Sequence, residues 1–311
     1  MSTNEAWRRP IRALVRGWKD LQKLRIQVGG RIVANRKAQL GQDPGTKEKE
    51  LSSEAKKILA ELRKEFKRIT DGFAEKDLSP KTFKGTELIP SFTDACLVQE
   101  YIVLEREEGR HLKALAETLP QHAIYTEFLR DIHGIGDAIS AVIISEIDIS
   151  KARYPSSLWK LSGLAVESDG RGTSRRKEHL RDITYIDRYG KTKTRKGLQF
   201  NPLLKDMLLG IMVPCLIRAK NEKYYKIYCD YKHRLESHQT YGIANDKKRI
   251  EAAKKEGYNL RPKLHRDNMS KRYLAKAVLV DLHVKWRELA GLEVSKPYHE
   301  AKLGHQHRGA A

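Results

Sequence analysis

Apolar residues recur at intervals of three and four along several long stretches of the chain, which is the spacing of one face of an α-helix. These stretches cover residues 6–40, 47–70, 92–119, 203–212 and 268–289. The irregular segment 71–91 contains glycines and prolines but no helical period, and we interpret it as a linker. The pattern therefore predicts a mainly α-helical protein that begins with a helical region and linker over residues 1–91.

The stretch 92–119 is closest to a heptad repeat, because its repeating positions alternate between steps of three and four residues. These positions are Leu97, Tyr101, Leu104, Glu108, Leu112, Leu115 and Leu119. Such a helix either packs in a bundle formed by its own chain or joins a second copy of the chain in a coiled coil. Both alternatives stay open, and the second predicts a homo-oligomer that forms through residues 92–119.

A tight turn interrupts the pattern at Gly134, Ile135 and Gly136, before an apolar helix that is predicted to begin near Asp137. Glycine has no Cβ and adopts positive φ angles, so backbone amides in such a turn approach a ligand closely. The N-terminus of the following helix also carries unpaired N–H groups, which attract anions such as phosphate. The turn therefore predicts either a phosphate-binding helix-hairpin-helix or a plain helical hairpin whose glycines only relieve crowding.

Residues 171–197 form a strongly basic loop, with ten Lys and Arg residues against three acidic ones. Ile183, Tyr185 and Tyr189 alternate with polar residues, and Gly190 marks a turn, which predicts a short β element. Basic residues interleaved with tyrosines suit contact with phosphates and bases, although a solvated basic loop is the alternative. The candidate nucleic-acid-binding residues are Gly134, Ile135, Gly136, Arg171, Arg175, Arg176, Lys191, Lys193, Arg195 and Lys196.

Net charge narrows the choice of partner. The chain has 61 Lys and Arg residues against 40 Asp and Glu residues, which gives a formal charge of +21 and a pI of about 9.8. Self-repulsion disfavours so large an imbalance unless a polyanion neutralises it, so nucleic acid is the expected partner. A membrane partner is not expected, because no stretch of about 18 uncharged apolar residues occurs.

The remaining composition predicts a cytoplasmic protein with no identified cofactor. The basic segment 7–10 is not followed by the apolar run of a secretory signal. Cys96, Cys215 and Cys229 are too few and too scattered for a disulfide framework or a zinc cluster. The histidines do not form a ligand set with the usual spacing, so no metal is expected.

Two serines at the glycine-rich start of the basic loop are candidates for nucleophilic chemistry. Ser168 precedes Asp169-Gly170, and Ser174 follows Gly172, with arginines near both. A serine attacks a phosphodiester when arginines stabilise the developing charge and lower the pKa of the hydroxyl. Most serines in such loops are only polar loop residues, so both interpretations stay open.

Several segments occur in a recognisable order, namely Ile132–Gly136, Ile143–Ile147, Tyr154-Pro155-Ser156, Leu161–Leu164 and Lys196–Leu208. Because these segments follow one another in this order, residues 120–290 resemble the C-terminal, helix-hairpin-helix domain of the IS-one-ten/IS-one-sixteen family of insertion-sequence transposases. The family usually has proline where this chain has His133, and a proline where it has Val166. The domains are therefore expected to be 1–91, 92–119 and 120–290, with a disordered tail over 291–311.

The resemblance implies a recombinase that acts on DNA, with a structured guide RNA as a further partner. It implies a catalytic serine in the loop after Leu164, for which Ser168 is the closest position and Ser174 the fallback. Members of the family also carry an N-terminal RNase-H-like domain with acidic metal ligands, and the first 90 residues of this chain lack such an acidic set. Mg²⁺ is therefore expected only if another chain supplies an acidic domain.

Three functions remain as hypotheses. The first is a serine-type transposase or recombinase that carries out DNA strand transfer. The second is a non-catalytic DNA- or RNA-binding protein derived from the same family. The third and weakest is a basic helical protein that binds RNA alone. The missing acidic set favours the second function, and the retained serine loop favours the first.

Overall fold

The computed structural model describes residues 3–72, 79–81 and 83–294, with side chains from residue 8 onward except over 66–72. From position 295 onward, the tail predicted to be disordered lies outside the described residues. In the described part, the chain is mainly α-helical and contains one antiparallel sheet of two strands. The prediction of a mainly α fold is confirmed.

The described helices are α1 (Thr3–Gln39), α2 (Ser53–Gly72), α3 (Phe92–Thr118), α4 (Asp137–Glu146), α5 (Pro155–Leu161), α6 (Pro202–Asp206), α7 (Val213–Arg218), α8 (Glu222–Glu236), α9 (Asp246–Lys255) and α10 (Pro262–Leu289). The two strands are β1 (Arg181–Ile186) and β2 (Thr192–Gly197). None of these helices has both the length and the apolar composition that a membrane span requires.

Contacts divide the chain into two compact units. The three-helix unit contains Ala13–Leu115, and the larger unit contains the residues up to Arg12 together with those from Ala116 onward. Helices α1, α2 and α3 of the three-helix unit bury one apolar core. Its buried members are Val28, Ile32, Leu51, Ala55, Leu59, Leu62, Ile89, Ala95 and Val98.

Residues at the repeating positions of α3 make contacts with other parts of the same chain. Tyr101 and Leu104 pack against the core of the three-helix unit. Glu108, a buried acid on the same helix, accepts hydrogen bonds from Trp18 Nε1 at 3.2 Å and from Arg25 Nε at 2.6 Å. These partners compensate the burial of a charge, which is costly when it is unpaired. This part of α3 therefore serves an intrachain bundle, and a homo-oligomer through residues 92–119 stays a prediction.

Helix α4 lies at the centre of the larger unit. Every residue from Ile139 to Glu146 is buried, which accounts for its apolar sequence on all sides. Helix α6 packs against α4, while α10 packs against α5 and α8. The first residues of α1 also belong to this unit, where Arg8 pairs with Asp148 at 3.0 Å.

Pro214 is accommodated without breaking its helix. The sequence predicts a kink or a break there, because proline lacks the N–H donor and its ring clashes with the preceding turn. The structure instead has a π-helical segment, Met207–Met212, between α6 and α7, and the helical path continues to Arg218. A π-helical segment relieves this clash, since it shifts the hydrogen-bond register ahead of the proline.

The predicted short β element is a β-hairpin. Strands β1 and β2 pair antiparallel, with Arg181 opposite Gly197 and Ile186 opposite Thr192. Gly190 lies in the connecting turn with a φ of 75°, which favours glycine. All strand residues except Gly197 are exposed, so the hairpin has no buried core of its own.

Candidate nucleic-acid interface and serine site

One face of the β-hairpin carries cations around an aromatic ring. Side chains alternate across a strand, so the register places Arg181, Ile183 and Tyr185 on the same face as Lys193 and Arg195. The Arg195 guanidinium lies 5.2 Å from the centroid of the Tyr185 ring. Because Tyr185 is exposed rather than packed, this face offers both positive charge for phosphates and a stacking surface for bases.

The cations of the hairpin differ in their partners. Lys193 pairs with Asp187 at 2.8 Å, and Lys196 pairs with Asp182 at 2.9 Å. The hydrogen bond from Lys193 lowers the pKa of Asp187. The pair between Lys196 and Asp182 is exposed and contributes little stability, so a phosphate competes well for Lys196, whereas the Asp187 side chain in the other pair is only 11% exposed. Arg195 forms no ion pair within the described part of the chain.

The other predicted basic residues lie in the hairpin turn or in the loop before β1. Lys191, Arg175 and Arg176 are exposed, and so is Arg171, which lies 3.8 Å from Glu256. The larger unit therefore contains every predicted basic contact, and solvent reaches all of them. This arrangement suits a nucleic-acid surface.

The two glycines of the predicted phosphate turn differ in whether the backbone conformation and the space around it require glycine. Gly134 has a φ of 102°, and an added Cβ would lie 3.2 Å from the Cys215 carbonyl oxygen. Gly136 has a φ of −98° with open space around it. The segment before the turn is a π-helical turn, Tyr125–Leu129, so the helix-hairpin-helix motif stays a prediction. Substitution of Gly136 tests phosphate binding more cleanly than substitution of Gly134, which also disturbs folding.

The backbone amides of this turn are partly engaged. The Ile135 N–H donates to the Ile132 carbonyl at 2.9 Å, so this predicted phosphate donor already has a partner. Gly136 is the N-cap residue of α4 and provides no side-chain cap. An open groove beside the turn includes Arg218, whose charge favours an anion, whereas Asp137 in the first turn of α4 disfavours one.

The loop after α5, here the serine loop, covers residues 163–180 and holds both candidate serines. Val166 and Gly172 pair as an isolated antiparallel bridge, so residues 167–171 form its tip. Ser168 lies at this tip and is exposed, whereas Ser174 lies beyond the bridge and is half-buried. The two serines therefore have different environments.

Ser174 contacts an imidazole that a carboxylate holds in place. Ser174 Oγ lies 3.0 Å from His179 Nδ1, and His179 Nε2 lies 3.1 Å from Asp169 Oδ2. The amide nitrogen of Ser174 also lies 3.0 Å from Nδ1. Since an amide N–H only donates, Nδ1 is the acceptor, which assigns the ring proton to Nε2 and its hydrogen bond to Asp169. The hydroxyl therefore has a base within reach, oriented by a third group.

The surroundings hold the His179 side chain in place and favour the charged form of the Asp169 carboxyl. The His179 side chain is 2% exposed, whereas that of Asp169 is 40% exposed. The Arg171 amide donates to Asp169 at 2.9 Å, and this bond, together with that from His179, lowers the pKa of the carboxyl. Gln199 Nε2 donates to the His179 backbone carbonyl at 3.1 Å, which connects the segment after the hairpin to the backbone of His179.

Sequence reasoning named Ser174 only as a fallback and did not identify His179 or Asp169 as its partners. The three residues are spaced at intervals of five, which matches the period of neither a helix nor a strand. They meet because the bridge at Val166 folds the serine loop back and because Lys177–His179 forms a short 3-10 turn. No local pattern in the sequence could have indicated this set.

Among the described residues, no group of three or more His, Cys, Asp and Glu side chains is arranged to hold a metal ion. Comparison of the chain with protein-family models, with curated proteins and with solved structures found no match. The functional inference therefore rests on the residues of the hairpin and the serine loop.

Proposed function

We propose that this chain is a DNA-binding protein of the transposase class, similar to the IS-one-ten/IS-one-sixteen family, and that its β-hairpin is a principal DNA contact. The observation that carries the proposal is the exposed face formed by Arg181, Tyr185 and Arg195. It combines the two features that nucleic acid needs, which are charge for the phosphates and an aromatic surface for the bases.

The energetics of the hairpin favour a polyanionic partner. Residues 181–197 contain six cations and two acids, a net charge of +4. An isolated two-stranded hairpin is at best marginally stable in water, and like charges weaken it further. DNA would remove this repulsion and release counterions. DNA is therefore the partner that would stabilise the hairpin most, and it is also the partner that the net charge of the chain favours.

The test replaces residues 183–195 with an Asn-Gly turn, which leaves Asp182 and Lys196 to close a short hairpin. Binding of a labelled DNA duplex is measured by fluorescence anisotropy. The affinity is expected to fall at least about tenfold, with an unchanged unfolding midpoint. Equal affinity of both chains would refute the proposal. Tighter binding of an RNA duplex of the same sequence would favour the RNA-binding alternative.

Strand cleavage by a serine is the second candidate function, and the contact between Ser174 and His179 favours it. Ser174 Oγ would attack the phosphorus of a phosphodiester, forming an Oγ–P bond and breaking the bond from phosphorus to one sugar oxygen. The hydroxyl proton would pass to His179 Nδ1, and water would protonate the departing sugar oxygen. Asp169 would stabilise the imidazolium that forms.

Covalent trapping separates the two candidate serines. The parent, Ser174→Ala and Ser168→Ala are incubated with nicked DNA and resolved on denaturing gels. If Ser174 is the nucleophile, the parent and Ser168→Ala form a protein–DNA adduct, and Ser174→Ala does not. An adduct lost only in Ser168→Ala would assign the chemistry to the serine closest to the family position. No adduct with any chain would leave a non-catalytic DNA-binding protein.

A further inference from the structure

Two cations contact the serine loop and a third lies close to them, and none of the three has an acidic partner among the described residues. They are Lys205 on α6 and both Arg272 and Lys276 on α10, and each is partly buried. Within the described part of the chain, none of the three forms an ion pair, and the adjacent acid, Asp206, is exposed. A cation removed from water is normally paired with a carboxylate, so this cluster needs an explanation.

Backbone oxygens hold two of these cations in position. Lys205 Nζ donates to the Thr173 carbonyl at 2.6 Å, directly at the peptide bond that joins Thr173 to Ser174. Arg272 Nη2 lies 3.1 Å from the Gly163 carbonyl oxygen and 3.4 Å from that of Ala165. A carbonyl orients a cation but does not neutralise it, and both side chains keep further N–H donors.

Two glycines make room for these side chains. A Cβ added at Gly172 would lie 2.6 Å from Arg272 Nη2, which is too close for any other residue unless the guanidinium moves. A Cβ added at Gly163 would lie 2.8 Å from the Phe200 ring and 3.1 Å from Lys205 Cδ, and the φ of 64° at Gly163 also favours glycine. The backbone of the serine loop therefore packs directly on both cationic side chains.

The cations repel one another in the free protein. Burial lowers the pKa of the Lys205 ammonium, and Arg272 lowers it further, while Asp206 has a smaller opposite effect. Burial and Arg272 also lower the pKa of Lys276, whose ammonium lies 5.1 Å from the centroid of the Trp159 ring. A bound anion would remove this repulsion and supply the missing partner.

We propose that Lys205 and Arg272 form a binding site for a phosphate group of the nucleic-acid backbone, beside the peptide bond between Thr173 and Ser174. The guanidinium presents a planar fork that matches two phosphate oxygens, and the ammonium acts as a point charge. This inference deepens the proposed function and rests on it for the source of the phosphate. A phosphate held there lies beside the serine that contacts His179.

Thermal unfolding of the full chain tests the anion site. The parent, Lys205→Met and Arg272→Met are unfolded in sodium phosphate and in sodium chloride of equal ionic strength. The parent is expected to unfold at a higher temperature in phosphate, and both variants are expected to lose this gain. Lys226→Met, at an exposed lysine of α8, is the matched control and keeps the gain. The proposed phosphate site would be refuted if phosphate raised the unfolding temperature equally in the parent and both site variants, or if it did not raise that of the parent.

A second variant covers the case in which a methionine variant does not fold. Gly172→Ala places a methyl group against the Arg272 guanidinium without changing any charge. It is expected to reduce the gain in phosphate because the guanidinium is displaced. A full gain in Gly172→Ala would contradict the proposed position of the phosphate.

The source of the phosphate is tested with an oligothymidylate that has hydroxyl groups at both ends and therefore carries only phosphodiesters. Its dissociation constant is expected to rise roughly tenfold to a hundredfold in Lys205→Met and Arg272→Met. Protection by inorganic phosphate alone would overturn the nucleic-acid backbone as the source.

The same measurements separate this inference from the proposed function. If the parent and both methionine variants bind DNA and the oligothymidylate equally well, this inference fails and the proposed function stands. If the parent binds no DNA although phosphate raises its unfolding temperature, the proposed function fails, and the nucleic-acid source fails with it. The hairpin replacement described above is expected to lose DNA affinity and keep its gain in phosphate.

Discussion

Glutamine replacement of three cations on the hairpin tests the DNA interface most directly. Arg181, Lys191 and Arg195 are exposed and form no ion pair within the described residues. Glutamine keeps part of each side chain and leaves no buried polar group unsatisfied, so each change is expected to cost less than about 0.5 kcal/mol of stability. At Arg195, the lost contact with the Tyr185 ring adds a cost of about 0.5 kcal/mol.

The expected effect follows from counterion release. Each phosphate contact contributes about 0.9 to the slope of log affinity against log salt concentration on B-form DNA. If all three cations contact phosphates, the magnitude of the slope falls by about 2.7 in the triple variant. Between about 50 and 200 mM salt, the parent then loses roughly forty times more affinity than the variant.

The assay is fluorescence anisotropy of a labelled duplex across a series of sodium chloride concentrations. The control carries glutamine at Lys226, Lys247 and Lys254, which are exposed lysines of α8 and α9, so its net charge equals that of the hairpin variant. The slope of the control is expected to stay within about 0.5 of the parent slope. An equal reduction in both variants would show that net charge, rather than the hairpin, determines binding, and would refute the assignment.

Further predictions concern stability. Gly134→Ala is expected to lower the free energy of unfolding by about 1–3 kcal/mol because of its positive φ, whereas Gly136→Ala should cost less than about 1 kcal/mol in urea titrations. Glu108→Gln is expected to cost about 2 kcal/mol in the same assay, since three donors of α1 lose a charged acceptor. The hydrogen bond from Arg266 lowers the pKa of Asp246, so its stabilisation is complete above the unfolded pKa and is lost as the pH falls through the lowered value. Asp246→Asn should therefore flatten the acid-unfolding curve.

The local periodicity of apolar residues was sufficient to predict most of the long helices. Helix α1, predicted over residues 6–40, covers Thr3–Gln39, and α3, predicted over residues 92–119, covers Phe92–Thr118. The basic hairpin was also predictable, because alternation around a glycine turn is a local signal. Helix α10 begins at Pro262, earlier than its apolar pattern indicated. The reason is that its first turns bury a charged residue, Arg266, against Asp246, and a hydrophobic pattern does not register such a pair.

The sequence by itself determined the fold class, the excess of positive charge and the segment that presents this charge. Each of these depends on composition or on neighbours within a few residues. Only the tertiary structure decided which serine meets a histidine, because Ser174, His179 and Asp169 meet through a folded loop rather than through a regular element. It also decided that Lys205 and Arg272, from α6 and α10, converge on that loop, since their contacts depend on packing between distant segments.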